Sequence, residues 1–389
     1  MLSRIKFTIE PLVAEILDQL PASVWASKTS TFFDPAIGGG QFVRAIEQRL
    51  RSAGHSDANI CSRVMGFEES NLHIRFAINK YKLVGQYAKM PYNKLFELDN
   101  TMKFDVVVGN PPYQGSNDKG TKQPKSHNLW SKFAEQGINL VKDDGYVAFV
   151  TPDSWMSPNS QILKTFKNNS LTWVSTNVSK YFTVGSSFTA WILQKNQSTK
   201  TVTIDGLTVN LNTLNYLPRN FAKTYPIHDK VINSNSPKLE VLCDTSCHSD
   251  YKHEKLSDTK DAVFKYKTWH TNAQTRFSKI KSKDFNNHKI VWTLSGYFKP
   301  FYDSGKIGTT EVCQYTLVKD QIEADNVLSY LNSKLYNFLI ITGKWSGFLN
   351  GKLICSLPRL ANKKWTDKAI YKHFSLTQEE IDYIEANVK

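Results

Sequence analysis

The sequence predicts an α/β protein: a Rossmann-like, doubly wound and mostly parallel sheet followed by a second, C-terminal domain. Three observations lead there. Across residues 31–151, short apolar runs alternate with stretches whose apolar residues recur at helical spacing. The length of 389 residues exceeds what one compact core usually serves. Beyond about residue 215 the composition turns polar and irregular, rich in Asn, Ser, Lys and His. The expected division is therefore 1–214 and 215–389.

Taken in order, residues 8–17 read as a helix with Pro11 in its first turn. The runs 31–33, 63–67, 104–108 and 146–150 read as buried parallel strands, and 42–50, 72–81 and 129–141 as the helices between them. Residues 171–178 and 188–193 look antiparallel, and 201–209 reads as a hairpin turning on Asp205-Gly206. In the second domain the one long helix expected spans 322–340.

Composition narrows the class. Hydrophobic residues make up 40% and aromatics 12%, which excludes a disordered or fibrous chain. Lys and Arg number 49 against 35 Asp and Glu, a net charge of +14 that suits a polyanionic partner, nucleic acid ahead of an anionic membrane. The N-terminal segment carries charges where a secretory signal needs an apolar run, and no stretch is long enough to span a bilayer, so the cytoplasm is the expected location. Five scattered cysteines fit reduced thiols, and Cys243, Cys247 and His248 lack a second ligand pair, so no metal is expected.

The strongest motif is Asn110-Pro111-Pro112-Tyr113, directly after the strand 104–108. Loops at the carboxyl ends of parallel strands line the ligand crevice. Two prolines stiffen the loop and remove amide donors, Asn110 offers a side-chain carbonyl, and Tyr113 a flat face. Acceptors beside an aromatic plate suit an exocyclic amino group or a planar amide. Upstream, Asp34-Pro35-Ala36-Ile37-Gly38-Gly39-Gly40-Gln41-Phe42 places an acid and three glycines between the first strand and a helix. The spacing is neither the dinucleotide fingerprint nor a P-loop, and Asp34 suits a ligand with a cationic amine. Glu68 ends the next strand, where such sheets hold ribose hydroxyls, and Asp99 is a third acid before the Asn-Pro-Pro-Tyr loop.

This ordered set resembles the S-adenosylmethionine-dependent amino-methyltransferases. With Phe7-Thr8 ahead of the glycine loop and a large C-terminal region, it is similar to the γ group of DNA adenine-N6 methyltransferases of restriction–modification systems, the Taq-type enzymes. The resemblance implies a methyltransferase domain over 1–214 and a target-recognition domain over 215–389. It implies S-adenosylmethionine as cofactor, held by Phe7, Thr8, Asp34, Pro35, Ala36, Gly38, Gly40, Phe42, Glu68, Asp99 and Asn110. Asn110, Pro111, Pro112, Tyr113 and Phe182 would act on the base, Tyr113 and Phe182 sandwiching an adenine flipped from the duplex. Double-stranded DNA is the implied partner, with a separate restriction endonuclease. RNA adenine, DNA cytosine-N4 and protein glutamine are alternative acceptors.

Phosphate contacts are expected where lysines outnumber acids. Residues 154–204 hold 5 lysines and no acid, and residues 216–310 hold 16 Lys and Arg against 9 acids. Lys164, Lys167, Lys180, Lys279, Lys281, Lys283 and Lys289 are the phosphate candidates, and Arg276 the candidate for guanine or phosphate. The aromatic run 297–302 is either a wedge for the duplex or part of a core.

Overall fold

The computed structural model describes residues 9–98, 101–113, 129–158, 160–182, 187–197, 199–248, 254–345 and 351–388. Phe7, Thr8 and Asp99 lie outside the described residues. Two compact units emerge, one of residues 1–155 with 160–214, the other of 156–159 with 215–389. Among the described residues, no helix is long and apolar enough to cross a membrane.

The first unit opens with α1 (Glu10–Leu17), α2 (Ala22–Ala26), β1 (Phe32–Asp34), α3 (Gln41–Ser52), α4 (Asp57–Cys61) and β2 (Val64–Glu68). It continues with α5 (Asn71–Tyr81), β3 (Gln86–Lys89), α6 (Tyr92–Leu95), β4 (Phe104–Gly109), α7 (Leu129–Leu140) and β5 (Val141–Pro152). It closes with α8 (Gln161–Asn168), β6 (Ser170–Ser175), β7 (Phe188–Gln194), β8 (Thr201–Ile204) and β9 (Leu207–Asn210). The nine strands form one sheet in the order β3-β2-β1-β4-β5-β7-β6-β8-β9. β3, β2, β1, β4 and β5 are mutually parallel, and β7 runs antiparallel between β5 and β6.

Burial explains the parallel block. Phe32, Phe33, Val106, Val107, Val108 and 147–150 are all within 1% of fully buried, as strands covered on both faces must be. β3 was not expected: its Gln-Tyr-Ala-Lys sequence is largely exposed at the sheet edge, so burial imposes no apolar pattern. The expected Asp205-Gly206 turn is present, with φ of 48° and 89° at its two residues. The Asp205 carboxylate accepts from the Thr176 backbone N–H at 2.7 Å, fixing the turn to the end of β6.

The second unit contains α9 (Phe221–Ile232), β10 (Leu256–Ser257), β11 (Tyr266–Thr271), β12 (Gln274–Ser278), β13 (His288–Thr293), β14 (Phe301–Ser304), β15 (Gly308–Thr309) and β16 (Cys313–Leu317). Five helices follow, α10 (Gln321–Leu331), α11 (Lys334–Gly343), α12 (Gly351–Ser356), α13 (Asp367–His373) and α14 (Gln378–Asn387). The strands form a four-stranded sheet, β10-β12-β11-β15, and a three-stranded one, β14-β13-β16. Its core gathers Trp292, Tyr330, Tyr336, Phe338, Leu339 and Ile384.

Two expectations are corrected here. The helix expected over 322–340 is two helices, because the Ser333 hydroxyl accepts from the Tyr336 N–H and starts α11 afresh. A helix also precedes residue 322: α9 carries Pro226 inside it, and the missing amide reads in sequence as a helix end.

Lys289 shows the unit's internal electrostatics. Its side chain is 1% exposed and its ammonium lies 2.7 Å from the Asp303 carboxylate, with the Asp284 and Asn287 carbonyls accepting at 2.8 and 3.3 Å. Removing one partner of such a pair strands the other charge, so Lys289→Ala should cost about 3–5 kcal/mol. Urea unfolding measures this, and replacing both partners by apolar residues should recover most of the loss.

Candidate active site

The chain leaves β1 toward β2 and β3 on one side, then returns to β4 on the other. The strand order therefore reverses between β1 and β4, which makes their carboxyl ends the place where such sheets bind ligands. Asp34 is the last residue of β1 and only 2% exposed. Its Oδ1 accepts from the Ala36 N–H at 2.9 Å. The loop 35–40 then folds onto β2: Ile37 N–H donates to the Phe67 carbonyl at 3.0 Å, and Gly38 N–H to Glu68 Oε2 at 3.0 Å.

The loop needs its glycines. Gly40, at the N-cap of α3, has φ of +84°, and a Cβ there would stand 2.7 Å from the Ala77 Cβ. A Cβ on Gly66 would meet Ile37 Cγ2 at 2.4 Å, so the loop lies directly on the strand. Ala36 is also buried, and Phe42 sends its side chain into the core. Glu68, 5% exposed, also receives the Ser70 N–H on Oε1 at 3.2 Å, with His73 Nδ1 at 3.2 Å from the same oxygen.

The Asn-Pro-Pro-Tyr loop begins one residue after β4. A Cβ on Gly109 would stand 3.0 Å from Asp34 Oδ1, so the ends of β1 and β4 meet. The Tyr113 hydroxyl donates to Asn110 Oδ1. The Tyr113 ring packs on Phe188 with centroids 4.9 Å apart, and Phe182 packs on Phe188 at 4.7 Å. Phe188 thus contacts the rings of both Tyr113 and Phe182.

Electrostatics follow from burial. Desolvation pushes the Asp34 carboxyl up to about 8, the Ala36 N–H opposing and the Glu68 charge adding to the rise. Burial, with the charges of Glu68, Glu69 and Asp34, raises the Tyr92 hydroxyl. Desolvation by burial raises the Tyr113 hydroxyl.

Sequence reasoning missed Phe188, Tyr92 and His73. Phe188 was legible only as a strand residue, Tyr92 follows a strand without an apolar pattern, and His73 carries no signal beyond lying five residues after Glu68.

The cationic candidates separate by environment. Lys164, Lys180, Lys279, Lys281 and Lys283 are exposed. Lys279 lies over Phe264, and Lys281 over Tyr266 and Phe285, at 5.2–5.8 Å from the rings. Arg276 pairs with Asp258 at 3.3 Å, and Lys167 is half-buried, donating to the Leu214 carbonyl. Lys289 is corrected outright: its ammonium is sealed against Asp303, where no phosphate reaches it. Among the described residues, no cluster of His, Cys, Asp and Glu is arranged to hold a metal ion.

Comparison with known proteins bears on this crevice. Residues 45–188 match the Eco57I restriction-modification methylase family. An uncharacterized adenine-specific methylase of Mycoplasma pneumoniae is 36% identical over 66 residues, 17% of this chain and 15% of that one. Two solved structures share the fold: a nuclease-deletion mutant of the type ISP restriction-modification enzyme LlaGI, in complex with a DNA substrate mimic, and the ATP-dependent type ISP enzyme LlaBIII bound to DNA. The first has a TM-score of 0.54 at 12% identity, covering 98% of this chain and 46% of that one. The second has 0.52 at 13%, covering 95% and 39%. The chain thus spans less than half the length of either.

The raised Asp34 has a testable sign. Between its ordinary 3.8 and about 8 the native carboxyl keeps a proton that the unfolded one has lost, so its ionisation takes stability away as pH rises through that window. Asp34→Asn, which keeps the acceptor for Ala36, should gain melting temperature relative to the unaltered chain between pH 5 and pH 9. A constant difference across that range would refute the shift.

Proposed function

We propose that this chain is a restriction–modification DNA methyltransferase that transfers a methyl group from S-adenosylmethionine to N6 of an adenine flipped out of duplex DNA. The observation that carries the reading is the convergence of Asp34, Glu68 and Asn110-Pro111-Pro112-Tyr113 at the carboxyl ends of the adjacent strands β1, β2 and β4. The match to the Eco57I family overlaps this region.

The crevice fits that cofactor. Asp34, buried at the end of β1 with its ionised form disfavoured by desolvation, would be relieved by a cation, and the amino group of the cofactor's methionyl part supplies one. The tight glycine loop, free of bulky side chains, would let a ligand approach the backbone closely, and Glu68, already oriented by Gly38 and Ser70, is placed for ribose hydroxyls. When bound, the cofactor supplies an electrophilic methyl on a sulfonium.

The rest is positioning by this chain. The adenine amino nitrogen is a weak nucleophile because its lone pair is delocalised into the ring. Hydrogen bonds from its two hydrogens to Asn110 Oδ1 and the Pro111 carbonyl would pyramidalise that nitrogen and aim the pair at the methyl group. The Tyr113, Phe188 and Phe182 row provides aromatic surface against which an extruded base is stabilised. In this reading residues 215–389 recognise the target, the exposed Lys279, Lys281 and Lys283 meet phosphate, and a restriction endonuclease is the separate partner in a cytoplasmic system.

Asn110→Ala should retain DNA binding while methyl transfer at saturating cofactor falls on the order of 100-fold or more. Transfer at the normal rate would remove Asn110 from the mechanism. Sequencing modified bases in DNA from a methylation-free host expressing the chain tests the whole reading, with N6-methyladenine in one defined motif expected. Methylated cytosine would change the base, and unmodified DNA would refute a DNA substrate. Affinity for duplex DNA should also fall steeply with salt, and a binding constant indifferent to salt would oppose phosphate contact.

A further inference from the structure

Tyr297 is 80% exposed, the most exposed of the large hydrophobic side chains among the described residues. The structure sorts the aromatic run it belongs to. Phe298 is 9% exposed and packs on Trp292, Phe301 packs on Trp269 at 4.8 Å, and Tyr302 lies beside His288. These serve the fold, and Tyr297 alone is presented outward.

The backbone beneath it is held. The Ser295 carbonyl accepts from the Thr293 hydroxyl at 2.9 Å, the Gly296 carbonyl from Lys344 Nζ at 3.0 Å, and the Tyr297 carbonyl from Asn272 Nδ2 at 3.0 Å. Gly296 takes φ of +76°, a conformation that favours glycine and turns the chain there. Three consecutive carbonyls are therefore fixed by a strand residue, by the end of α11 and by the β11–β12 turn. An aromatic ring on such a base loses little backbone freedom when it binds.

Charge names the partner. The segments that build and brace this loop, residues 262–283, 285–302 and 326–366, contain no Asp or Glu, although Arg276, Lys289, Lys334 and Arg359 within them pair with Asp258, Asp303, Glu385 and Glu323 outside. Lys299 is exposed two residues away, Lys344 sits under the loop, and Arg219 lies over Trp345, which follows Lys344. Two carboxylates lie near this loop: Asp258, paired with Arg276, and Glu311, which precedes Val312, whose carbonyl accepts from the Leu294 N–H at 2.8 Å. A lone exposed aromatic among cations of one sign suits a polyanion with flat apolar faces, which a nucleic acid is.

We infer that Tyr297 is a wedge contact for duplex DNA, inserting its ring into a base step beside the phosphates met by the surrounding cations. This rests on the DNA reading above, and it assigns to the second unit a contact that is aromatic rather than ionic. Stacking is tolerant of sequence because every base has an aromatic face, so the recognition site need not be known to test it.

The test compares the unaltered full-length chain, Tyr297→Ala and Tyr297→Phe for binding to random-sequence duplex DNA over a salt series. Tyr297→Ala should bind about 10-fold more weakly, Tyr297→Phe within about twofold of the unaltered chain, and all three should share one salt slope because no charge is removed. Thermal unfolding of the three should coincide, since the side chain makes little of the core. Equal affinity of Tyr297→Ala and the unaltered chain would overturn the inference while leaving the functional reading intact. Failure of the unaltered chain to bind duplex DNA would overturn both.

Discussion

The hydrogen bond from Gly38 N–H to Glu68 Oε2 is the contact on which the crevice depends, because it joins the loop after β1 to the end of β2. With the Ile37 to Phe67 bond beside it, it draws the glycine loop down until only glycine fits at positions 40 and 66. It also divides labour between the two carboxyls. Glu68 is oriented by donors from two loops, whereas Asp34, more deeply buried, has the Ala36 N–H and the neighbouring Glu68 charge. One carboxylate is thereby preorganised as an acceptor of neutral donors. The other is kept in a state that a cation would relieve.

The aromatic row depends on a different constraint, the reversed direction of β7. Parallel strands deliver their last residues to the crevice edge, but an antiparallel strand among them delivers its first. Phe188 opens β7 and pairs with Pro152, which closes β5, so it arrives at the same edge as the Asn-Pro-Pro-Tyr loop. Tyr113 on one side and Phe182 on the other then pack against it. No motif spacing announces Phe188, because its position follows from strand direction, which local sequence does not encode.

How much was legible in the sequence follows the same logic. The parallel strands and the helices between them were readable because burial on both faces demands unbroken apolar runs such as Val106-Val107-Val108. Asp34, Glu68 and Asn110 were readable as polar residues at strand ends, a place they share with ordinary surface residues, and it was their order along the chain that set them apart. β3 was hidden by its exposed edge position, α9 by Pro226, and the break before α11 by a serine whose capping bond depends on local geometry. In each case the deciding interaction lay between residues rather than in a residue type.

The lysines make that point for charge. Lys281, Lys283 and Lys289 share one polar stretch and look alike in composition. Lys281 precedes β13 and spreads its chain over Tyr266 and Phe285, keeping its charge outward. Lys289 is the second residue of β13, every later position of which is buried, and the strand carries its side chain inward to Asp303. A buried pair of opposite charges adds almost nothing to the field outside it, so Lys289 and Asp303 both count in the sum of +14 while contributing nothing that DNA would feel. Any attraction for a polyanion would therefore depend on cations left outward by packing, such as Lys299 beside Tyr297 and Lys344 beneath it.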